Sequence, residues 1–532
     1  MLSGGFMDRL LQVIETTSEK RFLLYSLIFY LLLSTIVRIS TFFFDFFSND
    51  EAAHFIGSLI IKNGMILYSD FVDNKPPFIY LFYLLSQIIF GENMLAVHLM
   101  TTILVIPLIA FFSMMLIYKM SRIAGFITGF FVIIFTSSYI PTDMLATNCE
   151  IIMLLFASIG FIFLQSDKNP ALLLFGISIG LATLSKQHAA IWIILPFISR
   201  SLKKDFRATP DLLLPIAGFL IPILASLLYF FTNNNLDKFI YFTVSHNIGY
   251  SQNPLLFTEI LIRFAKYLLP YLIIISPLIY FYLKGRKNVT SDFRFIFEPA
   301  LILSIIMIFI GFRFFPHYFI QSIYPLSILA ATYFIGPNKK IKSIVFIIIY
   351  SFLLSISFNI YTFANYSKKT DFIEETEPLF REIPRLLKEN GLCNGENRRL
   401  FVWGYAPLFY YYFYKECSML PASRFVLPQA STAGYIPGNE SQFTLSNFES
   451  AKYIIEEHRR QLLDDLKRNY PSIIIDTSKN NFHNWGRYTL NTFPELKEFI
   501  NSHYSLYKNI NGFEIYIKST DHSTKQEVRD SK

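Results

Sequence analysis

The sequence predicts an α-helical polytopic membrane protein with about 11 transmembrane helices and a C-terminal extracytoplasmic α/β domain. Of the 532 residues, 53% are hydrophobic and only 16% are charged, with 58 Phe and 32 Tyr. This composition is far from that of a soluble globular chain. Apolar segments recur until about residue 363, and a polar tail of about one domain's size follows.

The apolar segments are the first element of this prediction, because a spanning helix needs about 20 apolar residues. They lie near 23–44, 97–118, 124–141, 147–165, 170–185, 187–199, 211–231, 263–283, 295–312, 317–336 and 342–363. The fifth and sixth are short, so we expect them to be broken or re-entrant. The start of the chain has mixed charge and no small-residue cleavage site, which favours a retained signal anchor.

Basic clusters fix the predicted topology. They follow every second apolar segment, and the positive-inside rule places them in the cytoplasm. We therefore expect a multi-pass protein of the cell inner membrane, with a cytoplasmic N-terminus and the polar tail outside. The formal charge of +8 is then a property of loops rather than a sign of nucleic-acid binding.

Domain bounds follow from the same pattern. We predict a transmembrane unit at 1–365 whose outer loop, 45–96, carries interfacial helices, a soluble α/β domain at 366–518, and a disordered tail at 519–532. In the soluble part "EPLFREIPRLLKEN" and "SAKYIIEEHRRQLLDDLKRN" are helix-like, whereas "RLFVWG" and "PSIIIDT" are typical of short buried strands.

The predicted topology gathers charged side chains at the outer face. Ionisable groups in or against a bilayer are costly, so such a gathering indicates a functional site, although wet outer loops also hold ordinary polar residues. The residues concerned are Asp50, Glu51, Asp73, Lys75, Asp143, Glu150, Lys186, His246, Arg313 and His317.

The loop after the first segment is the most informative stretch. It contains "NDEAAHFIGSLIIKNGMILYSDFVDNKPPFIY", whose middle is compatible with a short helix along the interface. Asp50 and Glu51 come directly after the first segment, and Pro76 and Pro77 predict an extended approach to the next one.

The Asp-Glu pair followed by "YSDFVDNKPPFIY" resembles the first outer loop of GT-C glycosyltransferases. The pattern is similar to that of protein O-mannosyltransferases and lipid A aminoarabinose transferases. "GISIGLATLSKQHA" and "FFPHYFIQSIYPLSILAA" resemble two further motifs of that group, in the same order. Asn74 departs from the pattern, because the aminoarabinose transferases tend to have Glu and the mannosyltransferases His at this place.

The resemblance implies that the membrane unit is catalytic. The implied reaction is inverting transfer of a hexose or pentose from a polyprenyl phosphate (undecaprenyl or dolichyl) to a hydroxyl or phosphate acceptor. The acceptor would be a protein, lipid A or another glycan, and the reaction would take place on the outer face of the membrane.

Residue roles follow from what that chemistry needs. Asp50 is expected to be the catalytic base, with Glu51 orienting it or turning into the loop. Lys75, Arg313 and Lys186 are expected to bind the donor phosphate, although a lysine near a helix end can also extend to the interface. The sugar or acceptor pocket is assigned to Asp143, Glu150, His317 and Tyr318.

Three alternatives stay open at the sequence level. A transporter or flippase for lipid-linked sugars would also carry charges, although such proteins tend to show internal repeats, and none is evident. No metal or other cofactor is expected, yet a carboxylate site could hold a divalent ion, and Asp50 and His54 would share a helix face. Cys393 and Cys417 could pair in an oxidising compartment. Gly176 and Gly180 predict close helix packing.

Overall fold

The computed structural model describes residues 9, 12–166, 168–204, 209–248, 257–336, 341–367, 377–394, 398–404, 407–427 and 445–519. The chain forms two compact units. The membrane unit comprises Met1–Glu51 and Asn74–Lys368, and the C-terminal unit comprises Ala52–Asp73 and Lys369–Lys532. All but the first residue of the predicted disordered tail lie outside the described residues.

Eighteen main helices lie in the described part of the chain, besides shorter segments such as Leu236–Ile240 and Tyr241–Ser245. In chain order they are α1 (Glu19–Val37), α2 (Asn49–Lys62), α3 (Phe78–Phe90), α4 (Met94–Met115), α5 (Arg122–Ser137), α6 (Cys149–Leu164), α7 (Asn169–Thr183), α8 (Leu195–Lys203), α9 (Asp211–Thr232), α10 (Phe257–Ile274), α11 (Ser276–Asn288), α12 (Ser291–Phe312), α13 (Ile320–Ala331), α14 (Ile341–Ser367), α15 (Glu377–Glu389), α16 (Pro407–Cys417), α17 (Leu445–Asn469) and α18 (Pro494–His503).

Within the described residues, five helices are long and apolar enough to cross a membrane, namely α1, α4, α9, α12 and α14. A sixth candidate is the pair α10 and α11, which is bent by 49°. Four shorter apolar helices, α3, α5, α6 and α7, accompany them. The chain is therefore a helical membrane protein, and the count of eleven spans stays a prediction.

The predicted outer loop contains more helix than expected. Its first part forms α2, in agreement with the predicted interfacial helix as far as secondary structure goes. Its last part forms the apolar helix α3, which begins directly after Pro77. Pro77 has helical dihedral angles (φ −70°, ψ −20°), so any extended approach ends before it. Proline is favoured at this place because a helix start needs no N–H donor there.

Close packing of α7 on α9 fixes the frame of the membrane unit. A methyl group at Gly176 would collide with the carbonyl oxygen of Pro215, and one at Gly180 would collide with Pro222. The two backbones thus approach at the glycines, as small residues allow in membrane helices. The prediction of close packing is confirmed. The α7 helix ends at Thr183, and Lys186 then has an extended backbone (φ −149°, ψ 121°) before a 3₁₀ helix at Gln187–Ile194.

The C-terminal unit is a small α/β structure. Its strands are β1 (Arg399–Trp403), β2 (Leu420–Pro421), β3 (Ile473–Asp476), β4 (Tyr504–Ile510) and β5 (Phe513–Lys518), in the spatial order β2-β1-β3-β5-β4. β1 is parallel to β2 and β3, whereas β5 is antiparallel to β3 and β4. The two predicted helices and two predicted strands are confirmed as α15, α17, β1 and β3.

A two-residue hairpin turn and a disulfide bond help to define this unit. Asn511 and Gly512 both have positive φ, as the two-residue turn between β4 and β5 requires. Cys393 and Cys417 form a disulfide, with Cα atoms 5.3 Å apart, between the segment after α15 and the end of α16.

The segment Ala52–Asp73 belongs to the same unit. Within it, Val72 N–H donates to the Arg424 carbonyl at 2.9 Å, and Phe55 packs edge-on against Tyr411.

Candidate active site

A carboxylate and an ammonium group face each other at the start of α2. Asp50 lies in the first turn of the helix, and its Oδ2 is 3.8 Å from Lys75 Nζ. The side chains of Asp50 and Lys75 remain 35% and 20% exposed. Because neither group is sealed in the interior, both can be reached by a ligand.

Amide groups hold Lys75 in place. Lys75 Nζ donates to Asn74 Oδ1 at 3.0 Å, and Asn74 Nδ2 donates in turn to Asn247 Oδ1 at 3.1 Å. The main-chain carbonyl of Asn74 accepts from Asn247 Nδ2 at 2.8 Å and from Gln187 Nε2 at 2.9 Å. Asn74, the position that departs from the family pattern, thus anchors the lysine to two other parts of the chain.

A second ion pair lies deeper in the membrane unit. Lys186 Nζ is 2.9 Å from Glu150 Oε1, and the two side chains are only 8% and 2% exposed. The ammonium group also lies 4.8 Å from the centroid of the Tyr318 ring. A buried charge is costly without a partner of opposite charge, and here Lys186 and Glu150 are partners of each other.

A histidine and an aspartate form the third pair. His317 Nδ1 lies 2.5 Å from Asp143 Oδ1, although the residues are 174 positions apart. His317 stacks on Phe315 and contacts Tyr318 edge-on. The pair therefore joins the turn before α6 to the segment before α13.

These pairs act on one another. Tyr318, whose ring lies 4.8 Å from Lys186 Nζ, contacts His317 edge-on, and Gln187, which follows Lys186, donates to the carbonyl of Asn74 next to Lys75. The structure thus brings seven of the nine predicted site residues into one connected cluster. They are Asp50, Lys75, Asp143, Glu150, Lys186, His317 and Tyr318.

Glu51, the eighth residue, has a different environment from its neighbour Asp50. Its side chain is fully buried, and its two oxygens accept the N–H groups of Phe47 and Thr147, each at 2.7 Å. Oε1 also lies 3.1 Å from His98 Nε2. Glu51 thereby ties the start of α2 to α4 and to the segment that leads into α6.

Arg38 completes this buried layer. Its guanidinium group is fully buried and donates to the carbonyls of Met144 and Leu145 at 2.8 and 2.7 Å. Asp143 immediately precedes these two residues. Arg38 and Glu51 thus hold both ends of the segment between Asp143 and Glu150.

Arg313, the ninth residue, lies in the turn between α12 and α13 and is partly exposed. Its carbonyl accepts from Arg263 Nη1 at 3.2 Å. The Arg263 guanidinium also covers the Phe315 ring at 5.2 Å and pairs with Glu259. A second guanidinium group therefore lies next to Arg313.

A cavity of about 500 Å³ borders the cluster at Asp143. Its walls come from Tyr139 at the end of α5, from Lys266 and Tyr267 in α10, and from a face of α14 that includes Phe358. The lining is mostly aromatic and aliphatic, with one acidic and one basic side chain. Such a mixture suits a ligand that has both apolar and polar parts.

The chemistry for metal binding is sparse. In the part of the chain that the structure describes, no three or more His, Cys, Asp or Glu side chains group closely enough to hold a metal ion. Two carboxylates of the cluster, Glu150 and Asp143, are already paired with Lys186 and His317. Among the described residues, these two carboxylates of the cluster therefore already have cationic or imidazole partners.

The fold of the chain has counterparts among solved structures. It matches ArnT from Cupriavidus metallidurans, a lipid A aminoarabinose transferase of the GT-C superfamily. For ArnT bound to undecaprenyl phosphate the TM-score is 0.58 and the identity 11%, covering 93% of this chain and 98% of that one. The chain therefore shares the fold of ArnT. The resemblance predicted from the motifs is confirmed at this level.

Two further solved structures are similar to this chain to different degrees. Apo ArnT from the same organism gives a TM-score of 0.52 at 13% identity, covering 92% of this chain and 97% of that one. The oligosaccharyltransferase AglB from Archaeoglobus fulgidus gives 0.49 at 12% identity, covering 95% and 75%. No protein-family model matches the sequence, and no curated protein matches it significantly.

Sequence reasoning missed several residues that contact or support the residues of the candidate site. Arg38 and His98 could have been found from the sequence, because ionisable residues within apolar segments usually have a structural or functional role. Gln187 and Asn247 could not have been found in this way, because single amide side chains in polar turns are common. Arg263 lies at the start of a predicted segment, where basic residues are ordinary.

Proposed function

We propose that the protein is an inverting glycosyltransferase that uses a polyprenyl-phosphate-linked sugar. The acceptor oxygen would attack the anomeric carbon as the bond from that carbon to the phosphate oxygen breaks. The acceptor proton would pass to Asp50, and the polyprenyl phosphate would leave with the bonding electrons. The GT-C fold supports this reaction, as does the undecaprenyl phosphate bound by ArnT.

The observation that carries the proposal is the Asp50–Lys75 pair, in which a partly exposed carboxylate lies 3.8 Å from an ammonium group. A general base must be within reach of the proton that it removes, and Asp50 is accessible whereas Glu51 is sealed. We therefore assign the base to Asp50 and a positioning role to Glu51.

The leaving phosphate needs positive charge where its own charge grows. Lys75 is adjacent to Asp50, and Arg313 with Arg263 beside it supplies guanidinium groups, which can bind two phosphate oxygens at once. Each such preorganised donor stabilises a transition state by about 3 kcal/mol. Lys186 is balanced by Glu150, so we assign it to the edge of the phosphate site.

We assign the sugar or acceptor pocket to Asp143, Glu150, His317 and Tyr318. Carboxylates and imidazoles hydrogen-bond to hydroxyl groups, and the Tyr318 ring offers a flat face to a sugar. The cavity beside Asp143 gives an amphiphilic acceptor a place next to this pocket. Whether a hexose or a pentose moves, and whether to protein, lipid A or another glycan, stays open.

Transfer in detergent tests the proposal. The purified chain is incubated with polyprenyl-phosphoryl mannose or polyprenyl-phosphoryl aminoarabinose and with lipid A, glycan or peptide acceptors. Asp50→Asn should lower kcat at least about a hundredfold, the usual size of a general-base contribution. The matched control is Asp292→Asn, an exposed carboxylate at the start of α12, and it should keep full activity.

The same assay separates the enzyme from a transporter. A flippase has no measurable reaction without a sealed membrane, so covalent transfer in detergent favours the enzyme. NMR of the product should show the inverted anomeric configuration. EDTA should leave the rate unchanged, whereas loss of activity restored by Mg²⁺ or Mn²⁺ would contradict metal independence.

Orientation has its own test. We propose that the C-terminal unit lies outside the cytoplasm of a bacterial inner membrane. Alkaline phosphatase fused after residue 519 should be active, because this reporter folds only outside the cytoplasm. A reporter fused in the turn around Lys204 should be inactive.

A further inference from the structure

Three consecutive polar residues lie at the break between α7 and the 3₁₀ helix Gln187–Ile194. The first, Lys186, pairs with Glu150, and the second, Gln187, donates to the carbonyls of Asn74 and Thr243. The third, His188, places its ring edge-on against Tyr318, with ring centroids 6.1 Å apart. The extended backbone at Lys186 sends the three side chains to different parts of the site.

His188 differs from the other two in its hydrogen bonding. Its Nδ1 is buried and has no hydrogen-bond partner among the described residues. A buried polar atom without a partner calls for an explanation, and His188 differs from other such groups in lying beside Tyr318 of the charged cluster, where a bound ligand could supply the hydrogen bond. The Tyr318 ring is a shared neighbour of His188 and the Lys186 ammonium group, so His188 borders the charged cluster.

We propose that His188 is a specificity-determining residue that hydrogen-bonds a hydroxyl group of the donor sugar. A neutral imidazole has one donor and one acceptor nitrogen, and a sugar hydroxyl can complement either. The adjoining Tyr318 ring provides the apolar face that the sugar ring would cover. This inference rests on the proposed glycosyltransferase function, and it names the sugar rather than the phosphate as the ligand of His188.

His188→Phe is the informative variant, because it keeps an aromatic ring against Tyr318 and removes both nitrogens. With the sugar donor that supports wild-type turnover, kcat/KM should fall about ten- to a hundredfold, as expected when one buried hydrogen bond is lost. Binding of undecaprenyl phosphate, which has no sugar, should stay within about twofold of wild type. His188→Asn, which restores a donor and an acceptor, should recover part of the activity.

Trp192→Phe is the matched control. Trp192 lies in the same 3₁₀ helix, and its indole nitrogen is also buried without a partner among the described residues. Its ring packs edge-on against Phe161. Removing this nitrogen should leave kcat/KM near the wild-type value.

A spectroscopic measurement separates this inference from the proposed function. With ¹⁵N-labelled histidine, the Nδ1 signal of His188 should shift when a polyprenyl-phosphoryl sugar is added and stay unchanged with undecaprenyl phosphate. A shift without turnover would refute the glycosyltransferase and retain the sugar site. The inference is overturned if the signal does not move, if His188→Phe keeps full kcat/KM, or if it weakens both lipids equally.

Discussion

Replacement of Glu51 tests whether this residue positions the site or takes part in the reaction. In Glu51→Ala the N–H groups of Phe47 and Thr147 lose acceptors at 2.7 Å, and His98 loses its carboxylate partner. Each buried donor left unsatisfied costs about 1–3 kcal/mol. The summed loss over these three groups is about 3–9 kcal/mol, which is a large share of the 5–15 kcal/mol that typically stabilises a folded protein.

Glu51→Gln is the graded variant. It keeps one carbonyl oxygen as an acceptor and should therefore lose about half as much stability as Glu51→Ala. Since Glu51 does not remove the proton in our proposal, the glutamine variant should keep kcat within about tenfold of wild type, while Asp50→Asn does not.

Unfolding of the full chain by SDS titration in mixed micelles, followed by tryptophan fluorescence, measures the stability, and the transfer assay measures kcat. Glu382→Ala, at an exposed position in α15, is the control and should unfold like wild type. The reasoning is refuted if Glu51→Ala is as stable as wild type. It is also refuted if Glu51→Gln abolishes kcat at unchanged stability.

Three further predictions concern the rest of the chain. Lys186→Ala leaves the buried Glu150 carboxylate unpaired and should lower the free energy of unfolding by about 3–5 kcal/mol in the same SDS titration. The double variant Glu150→Gln with Lys186→Met should be closer to wild type in stability. If the single and the double variant were equally stable, the ion pair would be contradicted. Burial raises the pKa of Asp476 in the C-terminal unit. The folded unit therefore retains a proton that the unfolded chain releases near pH 4, and stability should fall as the pH rises from there through the raised pKa. Asp476→Asn should remove this contribution from thermal melts between pH 3.5 and 7, and an identical slope in both proteins would count against it. Finally, a non-reduced digest should yield linked Cys393 and Cys417 peptides in mass spectrometry, and replacing both by Ser should cost about 3 kcal/mol; unlinked peptides would exclude the bond.

Local patterns in the sequence predict local structure well. The helix α2, the close approach at Gly176 and Gly180, and the elements α15, α17, β1 and β3 of the C-terminal unit follow from periodicity or residue size. The sequence does not predict the helix α3, because an apolar segment of 13 residues is too short to span a membrane and therefore counts as part of the outer loop.

The pairing of side chains is where sequence reasoning stops. The predicted topology places Asp143, Glu150, Lys186 and His317 at one face of the membrane. It does not predict which acidic side chain pairs with which basic one. That choice depends on contacts across 174 residues for Asp143 and His317, which tertiary packing alone decides. The different environments of Asp50 and Glu51 were equally hidden, because adjacent residues on a helix point in different directions.

The C-terminal unit includes a piece of chain from the first loop, and this has a consequence for how the protein can be dissected. Asp50 and Glu51 are the last residues before that excursion, and Asn74 and Lys75 are the first after it. Cutting the chain near residue 367 would remove Tyr411 and Arg424, the partners of Phe55 and Val72, and the apolar segment 52–73 would remain in the chain between Asp50 and Lys75. A minimal membrane fragment therefore needs a short linker in place of 52–73 as well as a new C-terminus.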